Sequence, residues 1–278
     1  MKTTNKSLDE ITNISLRTKY KGDYSILSGL LNPTIGIRQS KHKRISKFGG
    51  NPLLQEEFDL DAHIDDHLTF LCQISVQEYH QYDIYDYLPN DRIIYFFINK
   101  DIGYPITKND FKVFSVSSNN DTLKEVQRNS RKKFDEIYIE FFTHYNFPSY
   151  QCYKLLELNH QVPDLDEKID EIQEFINDYN NISEGHEGSQ LFGNPQAVQG
   201  TVSFHWALKS LNLDFQLSDK DMNKVKEREK EFVLLLQVDT SQLNLTNDYG
   251  DGIVYFGIRE TDLAVNNFNS IELIYQTT

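Results

Sequence analysis

The chain has little of what disulfide scaffolds, zinc modules and membrane spans require. Its 278 residues include two cysteines, Cys72 and Cys152, far apart and in neither Cys-x-x-Cys nor Cys/His spacing. That excludes a disulfide framework and predicts reduced thiols in a cytoplasmic protein. Cys72 lies in an apolar segment and is expected in the core. No apolar run approaches the ~20 residues of a spanning helix. The polar start Met1-Lys2-Thr3-Thr4-Asn5-Lys6 has no apolar stretch of a secretory signal. Positive charge is also short: 28 Lys and Arg stand against 42 Asp and Glu, a net charge of −14. Such a surface repels phosphate, which argues against nucleic acid and anionic membranes. It either serves solubility alone or attracts a basic partner. Gly-x-Ser-x-Gly, Walker A and Gly-x-Gly-x-x-Gly patterns are absent, and Ser46-Lys47 lacks Ser-x-x-Lys spacing. No catalytic residue, metal or cofactor is assigned.

Aromatic residues are plentiful: 18 Phe and 16 Tyr provide large buried area for a core. Ser7-Leu8-Asp9-Glu10 reads as a capping box opening a short helix. Residues 34–39 and the stretch after Lys43 read as extended. The segments Leu68–Val76, Ile93–Ile98, Phe232–Val238 and Ile253–Ile258 are short apolar runs bounded by polar turns, which predicts buried strands. Weaker strands are expected over Asp110–Ser117, around Ile137, Ile139 and Phe141, and over Ile271–Tyr275. Asp121 is read as the cap of a helix to about Lys133, and Ser218 as the cap of one to about Glu231. From Asp164 to about Tyr179, Leu165, Ile169, Ile172, Ile176 and Tyr179 form one apolar stripe. The remaining faces carry Asp166, Asp170, Glu174 and Asp178, an acidic surface offered to a partner or to water. Ser183–Ser189 reads as a polar linker and Asn247–Gly252 as a turn.

Three segments occur twice in the same order. Phe48-Gly49-Gly50-Asn51-Pro52 is echoed by Leu191-Phe192-Gly193-Asn194-Pro195, and Phe70-Leu71-Cys72-Gln73-Ile74 by Leu234-Leu235-Leu236-Gln237-Val238. Ile93-Ile94-Tyr95-Phe96-Phe97-Ile98 is echoed by Ile253-Val254-Tyr255-Phe256-Gly257-Ile258. The expectation is an α+β fold with largely antiparallel sheets, flanking helices and two related halves from an internal duplication. The halves are 1–160 and 161–278, sharing one core. A glutamine inside an apolar strand needs partners. Gln73 and Gln237 therefore either bond backbone in their own halves or line a cleft between the halves with Lys47 and Asp251.

These motifs resemble the YwqG family, bacterial proteins containing a domain of unknown function (DUF1963). The resemblance rests on Ser46-Lys47-Phe48-Gly49-Gly50-Asn51-Pro52, Phe70-Leu71-Cys72-Gln73-Ile74, Leu191-Phe192-Gly193-Asn194-Pro195, Leu234-Leu235-Leu236-Gln237-Val238-Asp239 and Gly250-Asp251-Gly252-Ile253-Val254-Tyr255-Phe256. Tyr249 stands where the family usually has Trp. The resemblance implies an α+β fold with internal duplication and no assigned activity. It also implies a role in immunity against secreted toxins, by association rather than chemistry.

Two further clusters invite a chemical reading. His63 and His67 are four apart within an acidic segment and could share a metal-binding helix face, but without His-Glu-x-x-His order a solvated turn leading into the Leu68 strand fits them better. Arg38, Lys41, Lys43, Arg44 and Lys47 form a basic island, either a solvated loop or a docking patch. The expected function is a non-enzymatic protein-binding module, including an immunity protein against a basic toxin. The alternative is a small-ligand-binding protein or enzyme with a polar cleft between its halves.

Overall fold

Why the apolar runs form strands is visible in what covers each face. A computed structural model describes residue 19 and residues 22–101, 105–117, 123–127, 133–149, 152, 155, 158, 161–180, 188–241 and 251–277, with side chains in the 161–180 segment described as far as 174. The elements run α1 (Tyr24–Leu30), β1 (Asn32–Gln39), β2 (Lys47–Phe48), β3 (Leu53–Gln55), β4 (Leu68–Ser75), α2 (Val76–Tyr79), β5 (Arg92–Asn99), β6 (Phe111–Ser117), β7 (Leu123–Glu125) and β8 (Ile137–Asn146). They continue with α3 (Leu165–Asn180), β9 (Ser189–Leu191), α4 (Val202–Ser210), α5 (Asp219–Glu229), β10 (Phe232–Asp239), β11 (Gly252–Arg259), α6 (Glu260–Leu263) and β12 (Glu272–Thr277).

Ten strands form one sheet in the order β12-β11-β10-β9-β1-β8-β2-β4-β5-β6, while β3 and β7 form a separate pair. Every pairing is antiparallel. The sheet curls into a nearly closed barrel. Phe96 of β5 meets Phe256 of β11 edge-on, with ring centroids 5.0 Å apart. Near the two edge strands Lys108 pairs with Glu272 at 2.7 Å, and Lys209 donates to the carbonyls of Ile106 and Leu273 at 2.8 and 3.0 Å.

Side chains alternate between two buried environments, so the strands read as continuous apolar runs. From β5, Ile94, Phe96 and Ile98 enter the central core, while Ile93, Tyr95 and Phe97 pack under the β3–β7 pair. From β11, Val254, Phe256 and Ile258 enter the same core, while Ile253 and Tyr255 pack under α4 with Trp206. Register shifts interrupt β4 between Phe70 and Cys72, and β10 between Leu234 and Leu236. Cys72 is fully buried, and burial pushes its thiol well above the usual range. Among the described residues no helix is long and apolar enough to cross a membrane.

Two expectations need correction. The helix from Asp121 is not formed in its described part: Leu123–Glu125 is a strand held by pairing with Leu53–Gln55. A local capping signal gives way there to a long-range ladder. Ser189 is not linker but the first residue of β9, buried in the sheet. The helix from Ser7, residues 183–187 of the linker, and Tyr249 and Gly250 lie outside the described residues. Ser218 does cap α5, its Oγ accepting from the Asp221 N–H at 3.2 Å.

Candidate functional site

The two Gly-Asn-Pro turns are each fastened by a buried glutamine. Gln73 Oε1 accepts from Leu53 N–H at 2.7 Å and its Nε2 donates to Ile45 O at 2.8 Å. Gln237 Oε1 accepts from Gln196 N–H at 2.9 Å and its Nε2 donates to Gly188 O at 2.8 Å. A tyrosine completes each lock: Tyr95 OH donates to Leu53 O at 2.7 Å, and Tyr255 OH to Gln196 O at 2.6 Å. A serine adds a further contact, Ser46 Oγ accepting from Ser75 N–H and Ser189 Oγ from Asp239 N–H, at 2.9 and 3.0 Å.

The first turn is closed over. Gly49, at φ +59, would place a Cβ 2.1 Å from Asp135 O, so the backbone of Phe134 and Asp135 lies directly against it. Lys47, buried beside it, is paired with Glu136. Burial pushes the Glu136 carboxyl up, but hydrogen bonds from Lys47 and Tyr138 and the Lys47 charge bring it below its ordinary value. Asn51 donates to Glu125 of β7.

The second turn is wired from behind and open in front. Asn194 N–H donates to Asn146 Oδ1 at 3.1 Å, and Asn146 Nδ2 donates to Asn194 O at 2.8 Å and to Gln190 Oε1 at 2.9 Å. Thr34 Oγ1 is 2.9 Å from both Leu191 O and Phe192 O. In front lies a cavity of about 300 Å³, lined by Phe192, Tyr85, Tyr87, Ser203, Trp206 and Glu229 among others.

Each wall of that cavity has a physical reason to stand where it does. Trp206 of α4 covers Gly257 of β11, where any Cβ would sit 2.2 Å from the indole. Its indole nitrogen is buried without a hydrogen-bond partner among the described residues. Tyr85 and Tyr87 stack at 5.3 Å with rings 3° apart, and both tilt against Phe192 at 5.7 and 5.3 Å. Tyr85 OH donates to Pro33 O at 2.8 Å, and Tyr87 OH to Glu260 Oε1 at 3.2 Å. Burial and then the Asp83 charge push Tyr85 up to about 12, and burial followed by Glu260 raises Tyr87 further, so both remain neutral phenols. Glu229, only 4% exposed, accepts from Ser203 Oγ at 2.6 Å. That bond orients the carboxylate. It does not make Ser203 a nucleophile of the serine–histidine kind.

The residues singled out in the sequence fall elsewhere. Lys47 and Gln73 face each other across β2 and β4, while Gln237 sits on β10 with four strands between β10 and β4. Asp251 is exposed just before β11. None of these four lines the cavity. On α3, Leu165, Ile169 and Ile172 are buried; Asp170 and Glu174 are exposed and Asp166 is half-buried. The side chains of Ile176, Asp178 and Tyr179 lie outside the described residues. Lys168 on that helix pairs with Asp23 at 2.7 Å. His63 Nδ1 lies 2.7 Å from Asp59 O, and His67 Nε2 2.7 Å from Asn109 O. Among the described residues no group of three His, Cys, Asp or Glu gathers as a metal site. In the basic island Lys41, Lys43 and Arg44 are exposed, and Arg38 pairs with Glu140 at 2.9 Å.

Tyr85, Tyr87, Ser203 and Glu229 escaped the sequence reading. The crowding of aromatic and acidic residues over Tyr82-Asp83-Ile84-Tyr85-Asp86-Tyr87 was a usable signal. Glu229, within a helix rich in charge, gave none.

The family model described as domain of unknown function DUF1963 matches residues 46–277, and the chain belongs to that family. A search of curated proteins finds no match.

Proposed function

We propose that this DUF1963 protein is a non-enzymatic, cytoplasmic protein-binding module whose acidic surface receives a basic partner. The observation that carries this reading is the outward face of α3. Asp170 and Glu174 are exposed there, while the nearby cations Lys168 and Lys19 are engaged by Asp23 and by Glu171. With a net charge of −14, such a face raises association rates with basic proteins. The family resemblance makes a toxin a natural candidate for that partner. We further read the two fastened turns as halves of one duplicated unit. The support is that glutamine, tyrosine and serine make the same contacts at both places.

A second reading is favoured by one specific observation, the cavity beside the second turn. In it the protein binds a small ligand there, rather than at Gln73 and Gln237.

The first reading is tested by capturing the partner from the native cell and measuring association with the parent and with Asp166→Asn/Asp170→Asn/Glu174→Gln. The triple variant should associate more slowly at low salt. The difference should shrink near 1 M salt, where the Debye length is roughly 3 Å. Equal rates at low salt would remove α3 from the binding surface.

A further inference from the structure

We propose that a second cavity, between the basic island and α2, binds a carboxylate group. It has a volume of about 180 Å³ and is lined by Arg38 of β1, Arg44, Glu78 of α2, Gln81, Tyr82 and Glu140 of β8 among others. Residues 38–44 carry Arg38, Lys41, Lys43 and Arg44 and no acid, against a net charge of −14 for the chain. Cations gathered in one place on so acidic a protein attract anions locally.

The island is tied down rather than loose. Ser40 N–H donates to Tyr138 O at 2.7 Å, and His42 N–H to Ser40 Oγ at 3.2 Å. Directly after Arg44, the N–H groups of Ile45 and Ser46 donate to the two carboxylate oxygens of Glu78 at 3.0 and 2.8 Å. Glu78 therefore fixes the backbone that presents Arg44. Arg38 stands opposite Glu140 in the β1–β8 ladder and donates to it through Nε at 2.9 Å, with its guanidinium 5.4 Å from the centre of the Phe142 ring. That orients Arg38 and leaves its two terminal nitrogens without a partner among the described residues. Arg44 is exposed and makes no hydrogen bond or ion pair among the described residues.

Both acids in the wall thus have partners, whereas guanidinium N–H donors facing the same cavity do not. A guanidinium fork matches a carboxylate in plane and spacing. A single negative charge also suits a wall with two acids better than the double charge of a phosphate ester, since like charges repel. The carboxylate can be a free acid or an aspartate or glutamate side chain of another protein. The inference uses no residue of α3 and none of the cavity beside the second turn, so it stands or falls apart from both readings above.

The experiment follows the backbone amide resonances of residues 38–46 in isotope-labelled protein at fixed neutral pH. Sodium acetate, sodium methyl phosphate and sodium chloride are titrated at matched ionic strength. Acetate should move these resonances saturably, at a lower concentration than methyl phosphate, and chloride should not saturate. Arg44→Gln should raise the acetate midpoint about threefold, the size of an exposed charge pair. Arg44→Lys, which keeps the charge but loses the fork, should fall between. The comparison of three anions on the parent protein decides even if neither variant folds. A blocked Gly-Glu-Gly tripeptide separates the sources: a response at lower concentration than acetate assigns a protein side chain, and a response at the same or higher concentration assigns a free acid. Acetate behaving like chloride, a preference for methyl phosphate, or a folded Arg44→Gln with an unchanged midpoint would overturn the proposal.

Discussion

The two Gly-Asn-Pro turns share a lock and differ in what stands above it. In the first, Phe97 follows two residues after the locking Tyr95 and fills its own surroundings, with rings 5.4 Å from Phe70 and 6.0 Å from Phe114. In the second, Gly257 follows two residues after Tyr255, and the vacated space is taken by Trp206 from α4. The strand is self-sufficient in one place and depends on a helix in the other. The lock thus fixes the path of the backbone at both turns, while what packs above differs: the 134–135 backbone covers the first, and Trp206 forms one wall of the cavity beside the second.

Removing the locks gives the largest effect. Gln73→Leu leaves Leu53 N–H and Ile45 O without their amide partner, and Gln237→Leu does the same to Gln196 N–H and Gly188 O. At about 1–3 kcal/mol for each buried group left unsatisfied, either variant should lose roughly 2–6 kcal/mol in a urea melt. Only Gln237→Leu should also change Trp206 emission, because Gln196 continues the turn that borders the cavity. A change of emission in Gln73→Leu would mean that the turns are not independent.

Acid should loosen the second turn before the first. His144 on β8 stands opposite Thr34, which bonds the carbonyls of Leu191 and Phe192. Burial lowers His144 from 6.5 to about 4. The unfolded chain therefore binds the proton first, and stability present above pH 6.5 is lost as pH falls towards about 4. The loss is at most on the order of 3 kcal/mol. Glu136, at the first turn, has a lowered carboxyl, so its contribution is present above its ordinary 4.5 and disappears only below it. Urea melts across this range should show both windows, and His144→Gln should shrink the upper one alone, leaving what His205, also lowered by burial and by Lys209, contributes. A slope unchanged between pH 6.5 and 4 in His144→Gln would assign the upper window to another group.

How much was legible follows from which forces are local. The strands β4, β5, β10 and β11 were readable because burial on both faces leaves an uninterrupted apolar run. The glutamines stood out as polar residues inside such runs, and bonding to backbone was one of the two roles open to them. The strand β7 was misread because Asp121 offers a capping signal nearby, whereas the pairing that decides it comes from Leu53–Gln55, about seventy residues earlier. The helix α4 was not anticipated: its buried Val202, Trp206, Ala207 and Leu208 include three in succession and form no narrow stripe. The cavity was illegible because Tyr85, Phe192, Trp206 and Glu229 come from separated segments that only the sheet's curl assembles.

The smallest change tests the comparison most directly. Gly257→Ala adds one methyl group at the position where the first turn carries phenylalanine. That carbon would lie 2.2 Å from the fused part of the Trp206 ring, so the indole must shift bodily rather than swing aside at a flexible tip. Overpacking of this kind costs typically about 1–3 kcal/mol. Trp206 also sets the cavity wall and packs on Phe232 at 6.0 Å, so the displacement should alter tryptophan emission. The lock at Gln237 is untouched, and the backbone path of the second turn should survive. Emission and melting both unchanged in Gly257→Ala would show that α4 adjusts freely over β11. The glycine would then not be what distinguishes the second turn from the first.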